Sequence, residues 1–476
     1  MSFTSLSFLF VFLPILLCIY YLANDRAKEY VLLAASLAFY ALGSLKYLVL
    51  FVILTAATVC VGRVLSSASH KVARVLLLIL GICVNLIPLF YYKYFDFAID
   101  TWNRVSGSDI QMRNLALPLG ISFFTFKAIS YIVDTYKETI DLNDRLVHDA
   151  LYLSFFAQIQ SGPLNRYGEM NCEMTEMEGR RYMGGRLFSD GVYRFMIGFS
   201  KKILLANMLA KIVDEVYATP MENFTTGYAW LGSICFSLQL FFDFSGYSDM
   251  AIGISEMFGY PCRENFIYPY ITESVSKFWR RWHISLSEWF RDYVYIPLGG
   301  SRTKHACMVY FNLFVVWLLT GIWHGANWTF IAWGLGYFVL ISFEKMTGWP
   351  DRFKTKFGKI IWRIISILFI NIQWILFRST NIRSALSFVK RLFICNYNEL
   401  TNKRMCFLMK EYWVFIVVAV LLSMPIVPMI FKKTDNHTIA KLVAEVIVGL
   451  IIVFAFIWSI SLVLSGLNNP FAYANF

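Results

Sequence analysis

Between Ala306 and Phe343 the sequence contains no Asp, Glu, Lys or Arg and a single histidine, His324. It stands in Gly321-Ile-Trp-His-Gly-Ala-Asn-Trp328, with Trp323 before it and Gly325 after it. An ionisable group in so apolar a stretch is costly and marks function by default. Imidazole titrates near pH ~6.5, so a neutral histidine there can take a proton and then return it. The plainer reading is a histidine bonded to a helix carbonyl.

A second set lies upstream, in Ser274-Val-Ser-Lys-Phe-Trp-Arg-Arg-Trp-His-Ile-Ser-Leu-Ser-Glu-Trp-Phe290. Read as one helix, it places Phe278, Trp282, Leu286 and Trp289 on an apolar stripe. Arg280, His283 and Ser287 then fall on another face. Such a helix either lies against the bilayer or presents a guanidinium and an imidazole to an anionic or carbonyl-bearing ligand. Asp243 follows an uncharged window and needs a counter-charge, for which Arg280 and Arg281 are candidates. Its plainer role is in a buried polar network. Lys127, within apolar Pro118–Ala128, reads as a snorkelling lysine. His70, His148, His305 and His437 lie in polar stretches and read as solvated.

The elements that must hold these groups follow from composition. The chain has 476 residues, 43 Lys+Arg against 31 Asp+Glu, and a net charge of +12. Only 16% of it is charged and 58% is hydrophobic; a soluble domain has about 25% charged residues. There are too few charges to cover wet surfaces, which leaves an all-α polytopic membrane protein. Apolar windows from Met1 to Asn24, Tyr47 to Gly62, Val75 to Tyr92, Asn223 to Phe242, Ala306 to Trp323, Gly325 to Phe343, Tyr412 to Phe431 and Val446 to Phe476 carry this reading. With shorter stretches they predict about eleven or twelve crossings. The first window is too long and lacks the basic start of a signal peptide, so it reads as a first transmembrane helix with its N-terminus outside.

The basic excess sits in short clusters, at Arg180 and Arg181, Lys201 and Lys202, Arg352 to Arg363, and Lys432 and Lys433. Cytoplasmic loops facing anionic lipids explain it without nucleic acid. The nine cysteines are scattered, with no metal-ligand spacing, so no metal is expected. No Walker loop, dinucleotide fingerprint or G-x-S-x-G elbow is present. No linker divides residues 1–476, which read as a single membrane domain with an amphipathic or re-entrant insertion at 263–304.

Taken in order, Pro118–Lys127, Gln160–Pro163, Phe242–Gly253, Phe278–Ser301 and Trp323–Gly334 resemble the membrane-bound O-acyltransferase family, in its alginate O-acetyltransferase-like branch. The resemblance implies a multi-helix fold round a central tunnel. It matches the family's characteristic histidine to His324 and a second polar residue to His283. The implied reaction is acyl transfer from a cytoplasmic thioester, acetyl-coenzyme A or another, to a hydroxyl reached from the other side. His324 would be the general base, and His283, with Arg280, would orient the donor or stabilise the oxyanion. Trp323, Asn327 and Asp243 would line the site; Asn327 reads equally as a helix-packing residue. The aromatic tail Phe471-Ala-Tyr-Ala-Asn-Phe476 resembles an F-x-Y-x-x-F tail of that branch, and Tyr473 would relay the acyl group. An aromatic belt is the plainer reading. The chain ends just beyond its last helix, so a separate extracytoplasmic acetyltransferase acting on a polysaccharide is the expected partner, beside membrane lipids. The setting implied is a bacterial cytoplasmic membrane. The rival from another class is a polysaccharide transporter or flippase, whose internal repeats are not evident.

Overall fold

A computed structural model describes residues 1–142, 145–170, 184–260, 262–303, 305–353, 355–394, 400–434, 438–467, 469 and 471. Among these residues there is no β-strand. Arg180, Arg181, His437 and Tyr473 lie outside them.

The chain forms two compact units, Met1–Phe195 with Met250–Arg263, and Met196–Asp249 with Glu264–Phe476. The helices of the first are α1 (Leu13–Leu22), α2 (Asp25–Ser44), α3 (Leu48–Ser67), α4 (Lys71–Leu89), α5 (Phe95–Ser106), α6 (Ile121–Tyr136) and α7 (Leu146–Ser154). Next come α8 (Gly184–Ser200), α9 (Asn207–Ala218) and α10 (Thr226–Met257). The second unit continues with α11 (Val275–Trp279), α12 (Ile284–Phe290), α13 (Ala306–His324), α14 (Trp328–Thr347), α15 (Lys356–Arg378) and α16 (Ile382–Phe393). It ends with α17 (Lys403–Leu422), α18 (Ile426–Thr434) and α19 (Thr438–Leu464).

Six helical spans among the described residues are long and apolar enough to cross a membrane, from Asp25–Ser67 to Thr438–Leu464. The chain is a multi-pass membrane protein. Other apolar windows fall on shorter or more polar helices, such as the ten-residue α1 and α10, which carries Asp243 and Asp249. Helix starts follow local chemistry. Asn24, Thr355, Asn381 and Asn402 each accept a main-chain N–H from the first turn that follows, which satisfies a donor the helix cannot.

Two expectations for the first unit are corrected. Lys127 does not snorkel: it is 2% exposed, donates to Gln158 Oε1 at 3.1 Å and lies over the Tyr152 ring. His148 is not solvated. It is buried, with Nδ1 3.5 Å from Glu29, beside Asp149, whose carboxylate takes Arg63, Tyr131 and Tyr167. A local polar pattern signals a loop, but here it is the inward face of short α7.

In the second unit α13 and α14 form the hairpin that carries His324. A Cβ on Gly334 would sit 2.4 Å from the Trp317 carbonyl, and one on Gly321 would sit 2.6 Å from that of Phe330. Only glycine permits that approach. Beside the hairpin, Trp279, Trp317, Trp333, Tyr337 and Trp374 stack or meet edge to face. Within lipid, hydrophobic transfer contributes little between helices, so dense ring contacts carry the packing.

Candidate active site

His324 is the last residue of α13. The helix ends there because Gly325 takes extended backbone (φ −171°, ψ 154°), and Asn327 opens α14 by accepting the N–H of Thr329. The imidazole is 3% exposed. Its walls are aromatic: Trp333 at 4.7 Å, Trp323 at 4.9 Å and Phe377 at 5.4 Å between ring centres. Gly325 is where another group comes close, and that group is the Phe330 ring, 2.2 Å from where a Cβ would stand. Such walls exclude water and strengthen any electrostatic interaction made inside them.

His283 reaches the same place by a different route. The expected single helix is broken: α11 stops at Trp279, and His283 takes left-handed backbone (φ 45°, ψ 55°) before α12. A non-glycine residue there is strained, and the surroundings must hold it. Asn265 does so, its Oδ1 lying 3.2 Å from His283 Nδ1 and its carbonyl accepting the N–H of Ile284. The ring is fully buried, with Phe244 at 4.6 Å and Trp323 at 6.3 Å. Trp323 thus touches both histidines. His283 lies outside the six membrane-spanning segments, and burial pushes its pKa down to about 3.

The stripe residues Phe278, Trp282, Leu286 and Trp289 are all buried, but the break turns His283 inward with them. Arg280 is exposed and does not join His283. Asp243 takes Lys202, not an arginine, as its counter-charge, with both groups buried. Lys202 is therefore no loop cation; it continues the turn of α8 through Lys201–Ala206. Asn327 caps α14 and donates Nδ2 to the Thr380 carbonyl at 3.1 Å. The tail enters this neighbourhood too. Phe471 lies 4.7 Å from Tyr247 and 6.1 Å from Phe244, with Lys202 Nζ over its ring. Phe244 is the ring that faces His283. Tyr473, two residues on, lies outside the described residues.

Two residues that sequence reasoning missed fix the geometry. Besides Asn265, Glu344 of α14 is 4% exposed and accepts the N–H groups of Val275 and Ser276, both at 2.8 Å, and the Ser276 hydroxyl at 2.5 Å. It caps α11, the element that leads to His283. The signal was a lone carboxylate one residue past an uncharged window. Glu344→Ala leaves one buried and one half-buried N–H donor without this acceptor and should cost about 1–3 kcal/mol, with Glu344→Gln recovering part. Thermal unfolding of the purified protein measures this, and an unchanged midpoint for Glu344→Ala would remove the cap from the account.

The model of the membrane-bound O-acyltransferase family matches residues 146–386, a span that includes His283 and His324. The chain belongs to that family. It is 39% identical to the probable alginate O-acetylase AlgI of Pseudomonas aeruginosa, over 83% of this chain and 75% of that one. It is 35% identical to the peptidoglycan O-acetyltransferase of Helicobacter pylori, over 85% and 81%. Likeness to the teichoic acid D-alanyltransferase of Bacillus subtilis is 31%, over 58% and 69%. The protein is thus a membrane O-acyltransferase, and among its described residues no group of three or more His, Cys, Asp or Glu could hold a metal ion.

Proposed function

We propose that the chain moves an acetyl group from a cytoplasmic thioester, acetyl-coenzyme A or a related donor, across a bacterial cytoplasmic membrane toward hydroxyls of an exported or cell-wall polysaccharide. The observation that carries this is His324, buried among aromatic rings at the end of a hairpin inside the family-matched span. Relatives named for alginate and peptidoglycan O-acetylation, each aligned over more than four-fifths of the chain, support the acetyl group and the polysaccharide.

In this reading neutral His324 takes the proton of the attacking hydroxyl as its oxygen bonds to the thioester carbonyl. Collapse of the tetrahedral adduct breaks the carbon–sulfur bond, and the same imidazole protonates the departing thiolate. The first acceptor is the Tyr473 phenol. A phenol titrates near ~10 and needs a base to attack. The docking of Phe471 against Phe244, the ring beside His283, and against Tyr247 supports a part for the tail in the reaction. A separate extracytoplasmic acetyltransferase would then take the group from the tyrosyl ester to the polymer.

Membranes containing the protein, given acetyl-coenzyme A labelled in its acetyl group, test the relay. The wild type should acquire a hydroxylamine-labile label on the chain, and Tyr473→Phe should reduce it to background. A label that persists in Tyr473→Phe would overturn the tyrosine relay. Absence of any acetyl transfer, to the chain or to a polymer, would overturn the whole reading.

A further inference from the structure

We propose that Trp333 is a further catalytic residue, its indole N–H donating to the carbonyl oxygen of the acyl thioester as that oxygen takes on negative charge. The inference rests on the acyl-transfer reading above and deepens it, because it names what holds the donor's carbonyl while His324 handles the proton.

An indole nitrogen can only donate a hydrogen bond. Trp333 is 0% exposed, and its Nε1 is buried without an acceptor among the described residues. A donor buried in this way loses its bond to water and gains nothing in return. Phenylalanine would supply an aromatic wall without that loss. The N–H is accounted for when an acceptor arrives during the reaction, and enclosure makes the bond it then forms stronger than it would be in water.

The Trp333 ring meets the His324 imidazole edge to face, with 4.7 Å between centres. An oxygen deprotonated by His324 stands about 3 Å from the imidazole, and the carbonyl carbon it attacks about 3–3.5 Å further on. The carbonyl oxygen therefore develops its charge among the rings that surround His324, which are those of Trp323, Trp333 and Phe377. Phe377 has no donor. Trp323 lies on the base's own helix, with its ring 6.3 Å from His283 as well. Trp333 stands on the facing helix α14, and Trp279, Tyr337 and Trp374 pack its other sides. Its indole is fixed before any substrate arrives, as a preorganised donor requires.

The step balances with one base. The acceptor's oxygen bonds to the carbonyl carbon, its proton passes to His324, and the carbonyl's π electrons move onto oxygen, where the Trp333 N–H meets them. The indole gives up no hydrogen. Those electrons return as the carbon–sulfur bond breaks, and His324 delivers its proton to the thiolate.

The test uses the full chain in lipid nanodiscs. Trp333 is replaced by β-(3-benzothienyl)alanine, which keeps the fused rings and puts sulfur where the N–H was. The replacement should lower kcat by roughly 10²–10³-fold, the usual loss for one oxyanion donor. The KM for acetyl-coenzyme A and the unfolding midpoint should change little, because the bond forms only in the transition state. The same replacement at Trp362, whose N–H also lacks an acceptor among the described residues but whose ring neighbours are Trp349 and Phe353, should leave kcat unchanged. With ¹⁵N-labelled tryptophan, the Trp333 N–H signal, assigned by its loss in Trp333→Phe, should move downfield on addition of S-acetonyl-coenzyme A, an unreactive ketone analogue of the donor. Wild-type kcat after replacement of Trp333 would overturn the proposal, as would an equal loss at Trp362 or a loss at Trp323 instead. A Trp333 signal unmoved by the bound ketone, as for an N–H held against a ring face, would overturn it too. Should the replaced chain fail to fold, the wild-type spectrum decides. If the wild type transfers no acetyl at all, the acyl-transfer reading fails, while the ketone's effect on the indole still decides whether Trp333 holds the carbonyl.

Discussion

His324→Gln should lower acetyl transfer by roughly 10²–10⁴-fold, the usual loss when a general base is removed, with the protein still folded. Glutamine fills much the same volume and can hydrogen-bond, yet it cannot accept a proton and give it back. The site makes this a clean substitution. The side chain is enclosed by Trp323, Trp333 and Phe377 and is 3% exposed, which limits access of bulk water to the site. His324→Ala would add a cavity beside Trp333 and confuse lost chemistry with lost packing. Thioester consumption by the purified protein, read beside its unfolding midpoint, separates the two. Transfer within a few-fold of wild type in a folded His324→Gln protein would mean that another group is the base.

The largest effect on stability should come from Asp243→Ala. Lys202 and Asp243 are 4% and 1% exposed, and their ion pair joins the turn after α8 to the middle of α10. Removing one partner strands a buried charge, which costs about 3–5 kcal/mol. Replacing both, as Lys202→Met with Asp243→Leu, should restore most of that stability, because the pair's own attraction only offsets its desolvation. The double variant should still lose function, since Lys202 Nζ also lies 5.9 Å from the Phe471 ring and helps seat the tail. Unfolding midpoints and chain labelling read the two effects apart. An Asp243→Ala protein as stable as the wild type would show that the pair does not hold the fold.

The fold class was legible because a long apolar window has few alternatives to a helix in lipid. His324 was legible for a related reason, being the only Asp, Glu, Lys, Arg or His between Ala306 and Phe343. The break at His283 was not. Phe278, Trp282, Leu286 and Trp289 are buried whether the segment is one helix or two pieces, so their spacing cannot reveal a left-handed residue between them. Lys202 was misread because two adjacent lysines look like a loop, and its partner lies 41 positions away. Asn265 gave no sign at all. Its importance comes from what it touches, Ser248, His283 and Ser285, and none of those contacts has a period in sequence.

The central claim is that acetyl groups reach a polymer by way of His324 of this chain, and base-labile acetate on wall and extracellular polysaccharide tests it most directly. A deletion strain would be complemented with wild type, His324→Gln or Tyr473→Phe at matched membrane levels. Restored acetate with the wild type and none with His324→Gln, while polymer export continues, is the predicted result. Unchanged acetate with His324→Gln together with a collapse of export would contradict the claim and point to transport instead.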